Sequence, residues 1–216
     1  MKKLLFALAL TTSVLAQASL LSYEAGGQNL NNITLNKKAW INDAAGKPTA
    51  TTMDLLGAGL RTKTVLAIKA KVYVAQLFSD NKAAFVRQED QALDSLIANS
   101  KNIALKLDML RTVSASSLVA SFKDGLAANN IALDAKLNEI LAQIETSADA
   151  VSGKSVALLM KIDGSASEVA YEDVNGKVIK VTGDSELVKN ILKIWLGKAA
   201  DEGLSTLKTQ MLKPVY

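Results

Sequence analysis

The stretch LGAGLRTKTVLAIKAKVYVAQLF, residues 56–78, decides the fold of this 216-residue chain. β-Branched and aromatic residues are frequent in it, and apolar side chains occupy every even position from Leu66 to Val74. An alternation with a period of two is typical of a β-strand that buries one face, so we expect these even positions to face the core. Because the stretch is longer than an ordinary strand, we also expect a bend, a bulge or a tight hairpin within it.

The segments on either side of this stretch carry strand and helix patterns in an irregular order. Strands are predicted near residues 33–35 and over residues 49–57, 101–110 and 154–163. Helices are predicted over residues 81–99, 115–129 (capped by Thr112 or Ser114), from Asp134 onward, from Asp184 or Ser185 to Gly197, and over 201–212. Asn175-Gly176 between two alternating runs is a strong hairpin signal. This order, without regular strand-helix alternation, predicts an α+β fold with an antiparallel sheet.

The first residues have the pattern of a secretory signal peptide. Lys2 and Lys3 precede an apolar run, and Ala16-Gln17-Ala18 follows it. We predict a signal peptide over residues 1–18, cleaved after Ala18 or alternatively after Ala16, and a single domain over residues 19–216. The apolar run is shorter than the roughly 20 residues that span a bilayer, so no stable membrane span is expected after cleavage. The predicted location is periplasmic or secreted.

Composition excludes several classes of chemistry. The chain has no cysteine and no histidine, which rules out disulfides, thiolate nucleophiles, histidine triads and the usual zinc sites. We expect neither a metal nor a cofactor. Losing Lys2 and Lys3 lowers the formal net charge from +4 to +2, and the remaining lysines are scattered, so nucleic acid is not an expected partner. The oligomeric state is left open.

Three motifs resemble a known family. They are Gly57-x-Gly59-x-Arg61, Val72-Tyr73-Val74 and Trp195-Leu196-Gly197. With them, residues 51–212 resemble the chalcone isomerase family, in particular its bacterial secreted members. The resemblance implies an open-faced antiparallel sheet with helices packed on one face and a cleft between the two. Plant enzymes of the family close a chalcone to a flavanone there, and related non-enzymatic members bind fatty acids.

The resemblance implies that Arg61 projects into this cleft and contacts an anion. Its guanidinium offers a fixed fork of donors to a carboxylate or a phenolate, and the glycines permit close backbone approach. Tyr73 shares the strand parity of Arg61, so both face the same side if no bulge intervenes, which makes Tyr73 the second candidate ligand-binding residue. The alternatives are that Arg61 pairs with Asp54 or another carboxylate, and that Tyr73 lies at a sheet edge or a helix-sheet boundary.

The plant enzymes use further polar residues, and the matching positions here differ. The strand threonine of the plant enzymes and their hydroxyl residue before a helix end correspond to positions near Ile68 and Ile194, which are apolar here. The plant enzymes also use a tyrosine and an asparagine around the central helix, and residues 112–126 contain neither. We therefore expect a non-catalytic protein that binds a small apolar anion, a fatty acid or an aromatic acid, through Arg61. One alternative is an isomerase or intramolecular lyase of chalcone-like enones. Another is a structural or envelope-interaction protein whose own side chains fill the cleft.

Two further predictions concern charged and aromatic side chains. Several carboxylates occur at adjacent positions. Because the side chains of adjacent residues point in different directions on a helix or strand, we expect these carboxylates to be surface charges. The pairs are Glu89-Asp90, Glu172-Asp173 and Asp201-Glu202. Trp195 lies on an apolar helical stripe, which predicts a core position.

Overall fold

A computed structural model describes residues 19–215, so the predicted signal peptide, residues 1–18, lies outside the described residues. In this part of the chain eight antiparallel strands form one sheet in chain order: β1 (Leu21–Leu30), β2 (Ile33–Asn42), β3 (Pro48–Val65), β4 (Ile68–Ser79), β5 (Asn102–Met109), β6 (Ser155–Lys161), β7 (Ser167–Glu172) and β8 (Val178–Gly183). The helices are α1 (Ala92–Asn99), α2 (Ala115–Ala128), α3 (Ala135–Glu145), α4 (Ser185–Leu196) and α5 (Glu202–Met211). The predicted α+β class with an antiparallel sheet is confirmed.

Helices start where the sequence offers capping side chains. Ser114, Asp134, Asp184 and Asp201 each accept a hydrogen bond from the backbone N–H three residues later, at the starts of α2 to α5. Such a bond satisfies one of the N–H groups that the first helical turn leaves unpaired. No helix within residues 19–215 is long and apolar enough to cross a bilayer.

The tight hairpin expected inside residues 56–78 is the β3–β4 hairpin. The two strands pair from Asp54 opposite Ser79 to Val65 opposite Ile68, with Leu66 and Ala67 in the turn. At the distal end, one prediction is wrong: Leu66 and Ile68, expected to face the core, are exposed. The hairpin extends beyond the helices there, and residues on both of its faces are exposed.

The sheet is open with its helices on one face, as predicted, and a hydrophobic cluster lies on each face. All five helices pack against one face and enclose the larger core cluster, which includes Leu77, Phe122 and Trp195. A second cluster lies on the other face, where β1 and β2 fold across the middle strands. The Leu20 N–H donates to the Glu172 carboxylate at the end of β7, at 3.0 Å. The sheet must curl strongly for β1 to reach β7, as twisted sheets of this size do.

Three boundaries differ from the sequence prediction. β1 runs through the Gly- and Asn-rich residues 23–30, where no strand was predicted, with register shifts that accommodate them. β3 continues past Gly57, because this glycine follows a bulge and remains paired with Leu77. The helix predicted over residues 81–99 is regular only in α1, since Arg87 donates to the carbonyls of Leu56 and Leu212 and holds the preceding segment against β3.

Candidate functional site

The last helix lies directly on the strand that carries Arg61. A Cβ atom on Gly57 would be 1.7 Å from the Met211 carbonyl oxygen, and one on Gly203 would be 1.8 Å from the Thr62 carbonyl oxygen. Only glycine tolerates such approach, because it has no Cβ. The glycines at the start of the quoted stretch therefore allow α5 to pack on β3, beside the arginine.

Arg61 is buried and held by a carboxylate from α5. Its side chain donates twice to Asp201, from Nη1 to Oδ1 at 2.7 Å and from Nη2 to Oδ2 at 2.6 Å, and also donates to the Thr62 carbonyl oxygen. Arg61 is 5% exposed. This two-pronged geometry is the one in which a guanidinium binds a carboxylate most firmly. Arg61 thus has a carboxylate partner, and the partner is Asp201 rather than Asp54.

Asp201 has two tasks at the start of α5. Besides binding Arg61, it caps the helix by accepting from the Leu204 N–H at 2.9 Å. Partial burial by itself would raise the pKa of Asp201, but the hydrogen bonds from Arg61 and Leu204, together with the Arg61 charge, outweigh burial and lower the pKa. Asp201 is therefore ionised at neutral pH and neutralises the buried guanidinium.

Tyr73 lies directly opposite Arg61 in the β3–β4 register. In a hairpin with a two-residue turn, each odd-numbered residue of one strand pairs with an even-numbered residue of the other, and paired residues face the same side. Without a bulge Arg61 would therefore pair with Val72, and Tyr73 would face the opposite side of the sheet. A register shift between Arg61 and Thr62 inserts one extra residue in β4 and brings Tyr73 back to the face of Arg61. The predicted shared face is confirmed, although it exists because of a bulge rather than in its absence.

The Tyr73 hydroxyl is buried at the junction of sheet and helices. It accepts a hydrogen bond from Trp195 Nε1 at 3.1 Å. Burial raises the pKa of this hydroxyl, and the nearby Arg61 charge and the Trp195 hydrogen bond only partly oppose that effect. Tyr73 is therefore a protonated donor at neutral pH. Trp195 is in the core as predicted, and it also orients this hydroxyl.

Arg61 separates two spaces in the cleft between the sheet and the helices. The inner space is an apolar cavity of about 40 Å³, lined mainly by Val72, Tyr73, Val113, Leu118, Phe122, Ile194 and Leu204. The outer space is a groove of about 380 Å³ between β3, α2 and the start of α5, and Arg61, Lys63, Ser121 and Leu204 border both spaces. Since one water occupies about 30 Å³ of liquid, the inner cavity has room for about one water.

These groups can bind an anion but offer little for catalysis. The guanidinium and the Tyr73 hydroxyl are both donors, which suits a carboxylate or phenolate oxygen. Of the four serines in the central helix region, only Ser121 borders the cleft, and its hydroxyl donates to the Ser117 carbonyl at 3.0 Å. Within residues 19–215 no group of three or more acidic side chains could hold a metal ion.

Several carboxylates predicted to be surface charges are structural. Glu172 and Asp173 are buried, which corrects that prediction. Glu172 accepts hydrogen bonds from Ser19 and Leu20, and burial raises its pKa. Asp173 accepts from backbone N–H groups of the β7–β8 turn and so closes the hairpin. The turn chemistry was visible in the sequence, but the folding of β1 across β7 was not.

A larger depression lies away from Arg61. It has a volume of about 690 Å³ and lies between α1, α4 and α5. Three of its four lysines have acidic partners: Lys208 pairs with Glu89, Lys189 Nζ lies 2.9 Å from an oxygen of Asp94, and Lys193 Nζ lies 3.8 Å from an oxygen of Glu186. We regard the smaller cleft at Arg61 as the candidate site, because it combines a buried cation with an apolar cavity.

Comparison with known proteins agrees with this architecture. The family model described as chalcone isomerase-like matches residues 34–213. The crystal structure of a fatty-acid binding protein from Arabidopsis thaliana superposes with a TM-score of 0.63, covering 88% of this chain and 96% of that chain at 14% sequence identity. At this identity the likeness concerns the fold alone. No curated protein matches the chain.

Proposed function

The chain belongs to the chalcone isomerase-like family, and we propose that it is a non-catalytic member that binds a small apolar anion through Arg61. The ligand would be a fatty acid or an aromatic acid, with its anionic group at Arg61 and Tyr73. The observation that carries this proposal is a buried guanidinium at the boundary of an apolar cavity and an open groove, bound by a carboxylate of the protein itself.

Asp201 occupies the position that a ligand carboxylate would take. Its two oxygens use both terminal nitrogens of Arg61, so an incoming acid must displace them. The exchange preserves charge balance, because Asp201 is partly open to water and can be solvated when it leaves. A protein anion that competes with the ligand lowers apparent affinity by the fraction of time it holds the site.

The inner cavity must open to take the apolar part of a ligand. Sites for drug-sized molecules span roughly 300–1,000 Å³, and the inner cavity has about 40 Å³. Leu204 borders both spaces and follows Asp201 by one turn of α5. Release of Asp201 would free the start of α5, and an outward shift of Leu204 would join the cavity to the groove.

The side chains of the cleft favour binding over turnover. Ile68, near which the strand threonine of the plant enzymes would fall, lies at the exposed hairpin tip, and Ile194 contributes an apolar wall. An isomerase or intramolecular lyase is the alternative, in which Arg61, Tyr73 and ordered water suffice. Chalcone conversion above the spontaneous rate, lost in Arg61→Gln, would establish that alternative.

A structural or envelope-interaction role is the other candidate, and the small inner cavity favours it. Isothermal titration with palmitate and cinnamate distinguishes it from ligand binding. We expect Arg61→Gln to weaken binding of one of these acids by at least about thirtyfold, since it removes a desolvated charge pair. Lys63→Gln, which removes an exposed cation from the same cleft, is the matched control and should change affinity only a few-fold.

Asp201→Asn sharpens this experiment. Asparagine still caps a helix but competes poorly for the guanidinium, so affinity should rise by about tenfold. If neither the natural protein nor Asp201→Asn binds either acid, the binding proposal is wrong and the structural role gains weight. Equal affinity in Arg61→Gln would remove Arg61 from the site.

We also propose that the protein is exported and that residues 1–18 are removed. In support, Lys2 and Lys3 precede an apolar run that is followed by Ala16-Gln17-Ala18, the pattern of a cleaved signal peptide. Amino-terminal sequencing of protein from the cell envelope and medium should read from Ser19, or from Gln17 if cleavage follows Ala16. A protein that retains Met1 in the cytoplasm would contradict the proposal.

A further inference from the structure

The tip of the β3–β4 hairpin exposes two large apolar side chains. Leu66 is 93% exposed and Ile68 is 71% exposed. In the part of the chain that the structure describes, the other exposed large apolar side chains are Leu133 and Val151, at 38% and 39%. Single apolar residues on a surface are ordinary, but two nearly bare ones at the end of a projecting ribbon are not.

The turn itself uses residues that its backbone disfavours. Leu66 and Ala67 have φ angles of +48° and +66°. A two-residue hairpin turn with both φ positive is normally built from Asn-Gly or a similar pair, because a side chain with a Cβ is strained there. A leucine at this position costs stability and buries almost none of its side chain, which points to a role outside the folded core.

The apolar tip is surrounded by positive charge. Lys63, Lys69 and Lys71 are exposed on the two strands that lead to it. No acidic residue occurs between Asp54 and Asp80. Two carboxylates at the start of α5 face these lysines: exposed Glu202 lies 3.9 Å from Lys69 Nζ, and Asp201, already paired with Arg61, also interacts with the charge of Lys63.

We propose that this tip, residues 63–71, docks the protein on an anionic phospholipid surface. Leu66 and Ile68 enter the boundary between headgroups and acyl chains, and the lysines contact lipid phosphates while their stems lie along the apolar region. A protein partner fits less well, since a stable protein interface buries more than about 1,000 Å², far more than a two-residue tip provides.

The tip and the cleft share one ribbon. Lys63 borders both spaces beside Arg61. Leu66 lies five residue steps beyond Arg61, which at roughly 3.4 Å per step is about 17 Å along the strand. A docked tip would therefore hold the mouth of the outer groove close to the lipid surface. The docking does not depend on the ligand proposed above, and either can fail alone.

Co-sedimentation with vesicles tests the proposal, using the ligand-free full domain at about 0.1 M salt, where the screening length is about 10 Å. Vesicles contain equal parts phosphatidylglycerol and phosphatidylcholine, or phosphatidylcholine alone. We expect binding to the anionic vesicles only. Leu66→Ser with Ile68→Ser should weaken it about tenfold or more, and replacing all three lysines with glutamine should weaken it by about a hundredfold, or about fivefold for each.

Leu133→Ser is the matched control for a surface leucine elsewhere and should bind within twofold of the natural protein. Since the exchanged side chains are exposed, melting curves should show folded variants throughout. Leu66→Trp gives an independent readout, a blue shift of its emission on anionic vesicles. Absent binding, equal binding to neutral vesicles, or binding that the two serines leave unchanged would each overturn the proposal, the last by showing adsorption through charge alone.

Discussion

The two ends of the β3–β4 hairpin reverse the usual relation between polarity and burial. At the base, Arg61 carries a full charge and is 5% exposed, whereas at the tip Leu66 is apolar and 93% exposed. The base is covered by α5, which lies close enough to supply Asp201 as a counter-charge. Neither face of the tip is covered by a helix. In most proteins an arginine is exposed and a leucine is buried.

This difference separates two kinds of functional signal. At the base, the buried charge of Arg61 is neutralised within the protein by a bidentate pair with Asp201, which also caps α5, so the charge is stable without a ligand. The tip has no internal compensation for its turn strain or its bare apolar surface. The ligand proposed for the base must therefore compete with Asp201, whereas the lipid surface proposed for the tip would meet no competing group of the protein.

Displacing α5 from β3 by Gly57→Ala should lower stability more than the other changes considered below. In Gly57→Ala the new Cβ would meet the Met211 carbonyl at 1.7 Å, so α5 must shift and expose core surface. We expect a loss of about 4 kcal/mol in unfolding free energy and a melting temperature lower by roughly 8–16 °C. Gly27→Ala is the control, with nothing within 4 Å of its Cβ. Equal melting curves for the two variants would refute the close packing.

Removing the Tyr73 hydroxyl tests how much its hydrogen bond with Trp195 contributes to stability. Tyr73→Phe leaves the buried Trp195 N–H without its acceptor, which should cost about 2 kcal/mol in urea unfolding. The control is Tyr23→Phe, because the buried Tyr23 hydroxyl has no hydrogen-bond partner in residues 19–215 and its loss should be neutral. A neutral Tyr73→Phe would mean that the Trp195 bond is dispensable.

Asp201→Asn should have a smaller effect that depends on pH. It leaves Arg61 without its counter-charge, but the Asp201 side chain is 38% exposed, so we expect a loss of about 1–2 kcal/mol at neutral pH. The pKa of Asp201 is lowered on folding, hence its stabilisation is present above roughly pH 4 and is lost as pH falls through the folded pKa. Denaturant titrations from pH 7 to pH 2 should show the variant and the natural protein converging in acid. A constant gap would contradict the ion-pair explanation.

Replacing the turn residues of the tip should raise stability rather than lower it, and by the smallest amount. Leu66→Asn with Ala67→Gly installs residues that suit two positive φ angles, so the unfolding free energy should rise by about 1 kcal/mol. Vesicle binding should fall in the same variant. The single change Ile68→Asn, outside the turn, is the control, because it removes apolar surface without relieving the turn. Unchanged stability of the double variant would indicate that the turn is not strained.

Local chemistry made most of the fold predictable. Capping residues such as Ser114 and Asp134, the Asn175-Gly176 turn and the apolar stripe of Trp195 each act within a few neighbours along the chain. Arg61 also stood out, through its glycines and the family resemblance. The exposure of Ile68 was not predictable, because period-two alternation identifies a strand but not whether anything covers it.

The sequence did not reveal which side chains Arg61 and Tyr73 would contact. Asp201 was recognisable as a helix cap, yet its pairing with Arg61 depends on where α5 lies, and that in turn depends on Gly57 and Gly203 fitting backbone against backbone. The face of Tyr73 depends on one inserted residue in β4. A shift of one residue reverses every side chain of a strand, and no local signal marks it here.

The contact between Arg61 and Asp201 joins residues 140 positions apart in the chain, which makes the cleft a late product of chain synthesis. β3 is made early, and until α5 arrives its glycine-rich face is bare and Arg61 has no counter-charge. Contacts between distant residues form only after the intervening chain has been ordered. An anion therefore cannot be held in the finished cleft by a partly made chain, so ligand occupancy would mark molecules whose last helix has been completed and docked.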